Sequence, residues 1–532
     1  MIDIQGALAA WIKVLSKKNV IIKRNILSEF ETATFFTKQK ILAVIYPTKT
    51  KNIQKCLKIA NKFYVPVYPI SIGKNWGYGS HVPVKNNCVV MDLSKMNKII
   101  DFDEKLAYIT VEPGVTFEQV YKFLHSKKSK LIMSVTGSSP YSSLIGNILE
   151  RGVGKGRYGN RYQYACGMEI VLPNGECIHT GFARFNGAKT GQISRSGVGP
   201  SFDDMFIQSN LGVVTKMTIW LLPKPNYFQV FFYNIKEGSQ LGDLIDALRV
   251  LKLEGTLEGN FLIVNDYRLL SFNEKYSSKN KGEQPLTLLE LEKLKKSLKW
   301  GGAWNGEGAL LSASKEQGIS TRKRVQKLLK NNVSRLIFFD EMKAKATKIL
   351  DLPLRLFTGI DLKKTVNDAF YKSTFLGIPT MNGINSIYWR KKSFSTKALN
   401  PDMDNCGILW IDAIAPFEGN SVSIVIQIMK KQFLRYGFEP NIGINCVTER
   451  SVYITGEILY DRNIKDNDKK AIKCYKKTFK ELVKKGFIPN RLTVNSMDLL
   501  PSSNDDYDTF LHKLKKTIDP NNILSPGRYG IY

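Results

Sequence analysis

Over residues 41–225, short apolar runs bounded by Gly, Pro and Asn alternate with stretches of helical period. "ILAVIYP" and "VPVYPIS" read as strands, and "TKNIQKCLKIANKF" between them reads as a helix. "CVVMDLSKM", "LAYITVEPG" and "GMEIVLPNGECIHTG" continue as strands. "TFEQVYKFLHSK" is amphipathic, with Phe117, Val120, Tyr121 and Leu124 on one face. Upstream, "IDIQGALAAWIKVL" predicts an amphipathic helix followed by a turn. After "WLLPKP" the pattern changes to strands mixed with long Lys/Glu-rich helices, such as "GDLIDALRVLKL" and "TLLELEKLKKSLK". "GILWIDAIAP" and "SVYITGEILY" read as buried strands. "YDTFLHKLKKTIDPNNILSPGRYGIY" predicts a final helix stopped by Asp-Pro and a Pro-Gly turn. The expected fold class is α+β, in units covering 1–225, 226–500 and a C-terminal segment 501–532 that returns to the first unit.

Composition narrows the functions open to such a chain. At 532 residues it exceeds one ordinary core. No run is long and apolar enough to span a membrane, and no secretory pattern opens the chain. Seven unpaired-looking cysteines argue against a disulfide framework, so a reducing, cytoplasmic setting is expected. Four histidines with no ligand spacing argue against a metal site. The net charge of +31 could serve nucleic acid. Yet the lysines are scattered as pairs on helical faces, without interleaved stacking aromatics, so the charge reads as solvated surface.

Glycine is concentrated in "YPISIGKNWGYGSHVP", "SSLIGNILERGVGKGRYGN" and "QSNLGVVTKMTIWLLPKP". Successive amides in the first can form an anion-binding nest. Neither Gly-rich loop is a GxGxxG turn or a GxxxxGK[ST] loop, so a Rossmann or P-loop site is disfavoured. In this order, and with "MDLSKMNKIIDFDEKLAYITVEPGVTFEQVYKFL" and the ending "TIDPNNILSPGRYGIY", the segments resemble the vanillyl-alcohol oxidase/4-cresol dehydrogenase family of FAD-linked oxidoreductases. The resemblance runs from about residue 40 to the C-terminus.

The resemblance implies a two-domain FAD-binding fold of the p-cresol methylhydroxylase type, with a cap over the flavin ring. Ser71, Gly73, Lys74, Asn75 and Gly77 would cradle the pyrophosphate. Ser143, Ile145, Gly146 and Asn147 would line the cofactor, Gly212, Val213 and Val214 would meet the adenine end, and Arg528 would lie near the ring. Relatives that oxidise 4-alkylphenols hold the phenolate with two tyrosines and an arginine. Tyr78 and Arg491 match two of these, and Asn490 stands where the second tyrosine is expected. The family's acid/base aspartate falls at Ser138, and a further pocket tyrosine at Lys155. Lys155, Arg157 and Arg491 together could favour a substrate bearing carboxylate or phosphate. Some relatives attach FAD through a cap histidine, but that position is Ile408 here. Tyr388, flanked by Ile387 and Trp389 as in a half-buried strand, is the nearest tyrosine candidate, with His81 and Cys166 weaker ones. Non-covalent FAD is expected.

The function implied is oxidation of a small phenolic or benzylic alcohol by hydride transfer to the flavin. Two alternatives stand beside it: a non-phenolic hydroxy substrate, and a flavin-binding protein that has lost catalysis. Oxygen or a protein would reoxidise the flavin, and a homodimer is possible by analogy with relatives.

Overall fold

The computed structural model describes residues 2–273, 276, 285–297, 301–349, 366–391 and 399–532. The first helix, Ile4–Leu15, is capped by Asp3, whose carboxylate accepts the Gly6 amide, and it buries Ala7, Trp11 and Leu15. It rests on the helix Thr50–Lys62, which buries Ile53, Cys56, Leu57 and Ala60 at helical spacing. Beneath them lies a four-stranded sheet of β1 (Val20–Ile21), β2 (Ile41–Ile45), β3 (Val67–Ile70) and β4 (Cys88–Asp92), in the order β1-β2-β4-β3. The last three strands run parallel, and their near-continuous apolar sequences fit burial on both faces.

A second sheet takes β5 (Ile99–Asp103) and β6 (Tyr108–Val111) and, after the short β7 (Leu131–Ile132), β8 (Ala165–Val171), β9 (Cys177–His179) and β10 (Val213–Trp220). Its order is β5-β6-β10-β8-β9, antiparallel throughout. The stretch expected as one strand, "GMEIVLPNGECIHTG", is two strands. Gly175, at φ +84°, turns the chain between them. The helix Phe117–Ser126 begins with a Thr116/Gln119 capping box and buries Phe117, Val120 and Leu124, while Tyr121 is only half-buried. β11 (Leu222–Pro223) pairs with β7 as a small ribbon.

The remaining strands form one seven-stranded antiparallel sheet. It contains β12 (Tyr227–Ile235), β13 (Leu262–Asn265), β14 (Trp304–Ser312), β15 (Arg335–Phe339), β16 (Cys406–Pro416), β17 (Asn441–Asn445) and β18 (Ser451–Asp461). Their order is β15-β12-β14-β13-β17-β18-β16. Alternation along its strands divides the two faces. Ile263, Leu409, Ile411, Ala413, Ile454 and Ile458 enter a core shared with the helices Leu241–Leu253, Lys315–Leu329, Gly419–Arg435 and Asn467–Lys484. The opposite side chains, including Val264, Glu307, Trp410, Asp412, Thr455 and Glu457, face a large cavity.

The chain end runs back to the first sheet. The Val67 amide donates to Ile523 O at 2.7 Å, and the Ser525 amide donates to Val67 O at 2.9 Å. Buried Lys515, on the helix Tyr507–Ile518, pairs with Asp519 at 2.7 Å and donates to the carbonyls of Asn210 and Leu524. Among the described residues, no helix is long and apolar enough to cross a membrane.

Candidate active site

The cavity has a volume of about 1050 Å³ and lies between the first two sheets and the inner face of the third. The turn after β3 forms one wall. Gly73 adopts φ +74°, and a Cβ there would sit 2.0 Å from the His81 ring. Only glycine allows this turn. The amides of Ile72, Gly73, Lys74 and Asn75 donate to no protein acceptor among the described residues. Four consecutive free amides at a left-handed turn are the kind of donor set an anion-binding nest uses. Burial, with the nearby Lys74 ammonium, pushes His81 down to about 4, so the ring is neutral. Burial also lowers Lys74, against the pull of Asp402.

Ser71, Gly73, Lys74, Asn75, Ser143, Gly146, Asn147, Gly212, Val213, Val214 and Arg528 all line this cavity. Ser71 Oγ would lie 3.0 Å from a Cβ on Gly146, so the two strips approach closely. Arg528 is held by Tyr68 at 2.5 Å and by an ion pair with Glu150. Two expected positions lie elsewhere. Ile145 is buried in the core of the second sheet, because its helix turns that side inward. Gly77 carries the Trp410 indole where its side chain would be: at φ +79°, a Cβ would meet Trp410 Cδ1 at 2.0 Å.

Trp410 stacks parallel to Tyr78, with interplanar angle 9° and centroids 6.5 Å apart. Arg491 places its guanidinium 3.8 Å from the centroid of the Tyr78 ring. Arg268, from the helix Asp266–Asn273, lies 5.3 Å from the Trp410 ring. Arginine, tyrosine, tryptophan and arginine therefore join across the cavity. Arg491 Nη2 donates to Asn75 Oδ1 at 2.7 Å, while its Nε is buried without a partner. Tyr78 donates its hydroxyl proton to Asp412 Oδ2. Asp412 is 3% exposed and its Oδ1 has no partner. Burial raises the Asp412 carboxyl, and Arg491 opposes the shift. Burial and then Asp412 push the Tyr78 phenol well up. Glu457 Oε1 lies 2.9 Å from Arg268 Nη2. Burial raises that carboxyl too, against Arg268.

Ser138 lines the cavity, and among the described residues its hydroxyl meets Thr136 Oγ1, at 3.2 Å, and no base. Asn490 lines the cavity and accepts Gln208 Nε2 on its backbone oxygen at 2.9 Å. Lys155 lines it in an ion pair with Glu307 and 5.4 Å from the Phe375 ring centroid. Burial pushes the Lys155 ammonium down to about 8. Arg157 does not join Lys155 and Arg491. It pairs with Glu258 at 2.5 Å, with its side chain 55% exposed.

The attachment candidates fall outside the cavity lining. Tyr388 lies on the short helix Asn385–Tyr388, not a strand, and donates to Asp404 Oδ2 at 2.5 Å. Cys166 is buried on β8 with its sulfur on Gln192 O. The His81 ring sits behind Gly73. Ile408 is buried against the chain at Thr34. Among the described residues, no cluster of His, Cys, Asp and Glu could hold a metal. Trp410, Asp412, Arg268, Glu457 and Glu307 are site residues that the sequence reading missed. The available signal was acidic residues within strands otherwise apolar or glycine-rich.

Comparison with known proteins places this cavity in a family. Residues 41–181 match the FAD binding domain model. The chain is 40% identical over 528 residues to the 1'-carboxy-chondrochloren decarboxylase of Chondromyces crocatus, covering 99% of this chain and 97% of that protein. It is 28% identical to the 4-cresol dehydrogenase [hydroxylating] flavoprotein subunit of Pseudomonas putida, over 92% of this chain and 88% of the relative. The structure of p-cresol methylhydroxylase with substrate bound superposes with TM-score 0.89 at 27% identity, over 100% of this chain and 98% of that one. The chain belongs to the vanillyl-alcohol oxidase/4-cresol dehydrogenase family of FAD-dependent oxidoreductases.

Proposed function

We propose that this enzyme oxidises a small phenolic compound whose oxygen lies against Tyr78 and Arg491. The observation that carries this reading is the arginine itself: Arg491 is stacked on Tyr78 beside the cavity, with a buried Nε that no protein group satisfies. A buried donor of this kind calls for an acceptor from a ligand. Residues 1–225 and 501–532 hold FAD in this reading, and 226–500 form the cap. The nest at 72–75, the strip at Ser143, Gly146 and Asn147, and Gly212–Val214 hold the cofactor, which when bound supplies the two-electron acceptor. Trp410 and Tyr78 give the substrate ring an aromatic wall. The test is anaerobic bleaching of the flavin by a panel of 4-alkylphenols and 4-hydroxybenzyl alcohols. Bleaching by non-phenolic hydroxy acids alone would remove the phenolic reading.

A second reading, oxidative loss of CO2 from a carboxylated substrate, draws on Ser138, whose hydroxyl meets no base among the described residues. It also draws on the relative named a decarboxylase. When a hydride leaves the carbon adjacent to the one bearing a carboxylate, the bond to CO2 breaks and its electron pair closes a double bond. No proton need be removed. Release of labelled CO2 in step with flavin reduction would select this reading over simple alcohol oxidation.

A further inference from the structure

The hydrogen bond between Tyr78 and Asp412 changes what Tyr78 can do. Tyr78 has one proton, and it goes to Asp412 Oδ2. An oxygen set against Tyr78 then meets lone pairs, which accept a proton but do not stabilise an anion. The charges around Asp412 point the same way. Tyr78 faces it from the turn after β3, Arg491 from the segment after helix Asn467–Lys484, and Arg268 from helix Asp266–Asn273. Tyr475, on helix Asn467–Lys484, is near enough to feel its charge. Thr455 lies opposite on β18 and is uncharged. Glu457, two residues further along, pairs with Arg268. Two carboxyls thus face Arg491 and Arg268 and weaken the positive potential on offer to a phenolate, while Arg161, near enough to Arg491 to feel its charge, adds to that potential.

We propose that the Tyr78–Asp412 pair selects the neutral, protonated substrate hydroxyl and receives its proton as the hydride leaves. The inference rests on the phenolic reading above. The substrate O–H proton passes to the Tyr78 oxygen, and the Tyr78 proton passes to Asp412. The O–H electron pair moves into the ring as the side-chain carbon loses its hydride, leaving a neutral quinone methide. One proton and one hydride leave together, and charge balances. Asp412 acts through Tyr78 and is a positioning residue. Its unpartnered Oδ1 is open to that proton, and burial raises its carboxyl, which favours uptake.

The test uses FAD-loaded protein and 2,6-difluorophenol, which lacks an oxidisable side chain and ionises near neutrality. Fluorine NMR reports both binding and the ionisation state of the bound phenol. Native protein is expected to bind the neutral form, with affinity falling as pH rises through the phenol's ionisation. In Asp412→Asn the amide oxygen still accepts from Tyr78, but the negative charge is gone and Arg491 is less compensated. Preference should shift toward the phenolate by about tenfold or more, the effect of one neighbouring charge. Asp412→Ser, also uncharged, should shift the same way and covers a failure of the amide variant to fold. Flavin reduction by a 4-alkylphenol should slow in both variants near neutrality and recover at high pH, where solvent has already removed the proton. Identical binding profiles in native and variant proteins, or a native preference for the phenolate, would overturn the proposal alone. No binding in any of the proteins would overturn the phenolic reading and the proposal with it.

Discussion

Replacing Arg491 with alanine separates the two things this residue does. Its guanidinium stacks on Tyr78 at 3.8 Å and donates to Asn75 at 2.7 Å. Losing the stacked cation should cost about 0.5–2 kcal/mol of stability, an effect seen in melting temperature whether or not a substrate exists. The Nε is different: it is buried with no protein partner among the described residues, and in the proposed function the substrate oxygen satisfies it. A hydrogen bond from a charged donor is worth about 1.5–3 kcal/mol, which converts to a slowing of roughly ten- to more than a hundredfold. The assay is stopped-flow anaerobic reduction of the flavin over a range of substrate concentrations. Loss in the limiting rate means the contact strengthens as the reaction proceeds; loss only in apparent affinity means the contact is equal in the bound state and the transition state. FAD content should hold, because Arg491 touches the cofactor nest only through Asn75. Arg491→Lys keeps the charge but not the planar fork, and should fall between native and alanine. A variant that melts early yet reduces its flavin at the native rate would refute the reasoning and leave Arg491 a purely structural residue.

Gly73→Ala forces a side chain into the His81 ring at a left-handed φ, a strain of about 1–3 kcal/mol; FAD titration followed by flavin fluorescence should show affinity reduced roughly tenfold or more, and native-level retention would contradict the nest. Acid precipitation should release yellow colour to the supernatant, since the Tyr388 hydroxyl is turned to Asp404; flavin fluorescence that stays with the denatured chain on a gel would show a covalent link. Asp402 is a buried carboxyl that accepts from Trp76 Nε1 at 3.1 Å and Ser80 Oγ at 2.8 Å, and burial raises it to about 7. Its folded value lies above the unfolded one, so folding takes up a proton there and stability falls as pH climbs from about 4 to 7, by up to about 4 kcal/mol. Asp402→Asn should flatten that slope in thermal melts between pH 5 and 8, and an unchanged slope would assign it to other groups.

What could be read from the sequence depended on how local each signal was. The turn at 72–75 was legible because Gly73 comes just after a strand; its proposed role as a pyrophosphate nest is what the Gly73→Ala titration tests. Tyr78 and Arg491 were legible because each sits inside a stretch that resembles the family. Asp412 was not, since its partner Tyr78 is 334 positions away, and the strand "GILWIDAIAP" was read for its apolar residues alone. Yet an ionisable side chain in a strand bound for burial must find a partner or lose its charge, and Asp412, Glu457 and Glu307, all on the cavity wall, meet Tyr78, Arg268 and Lys155 there. The strand read around Tyr388 differs from the structure for the opposite reason. Three aromatic and aliphatic residues in a row carry no period, so strand and helix could not be told apart, and the chain there is a single helical turn. Gly77 was assigned to the pyrophosphate because it stood among glycines; its conformation instead makes room for Trp410, a residue from the third sheet. Ser138 and Asp412 line the same cavity. In the proposal above, Asp412 provides, through Tyr78, a proton path that Ser138, standing where the resemblance expects an aspartate, is poorly suited to provide. If that proposal holds, the pair decides which protonation state of the substrate the site accepts.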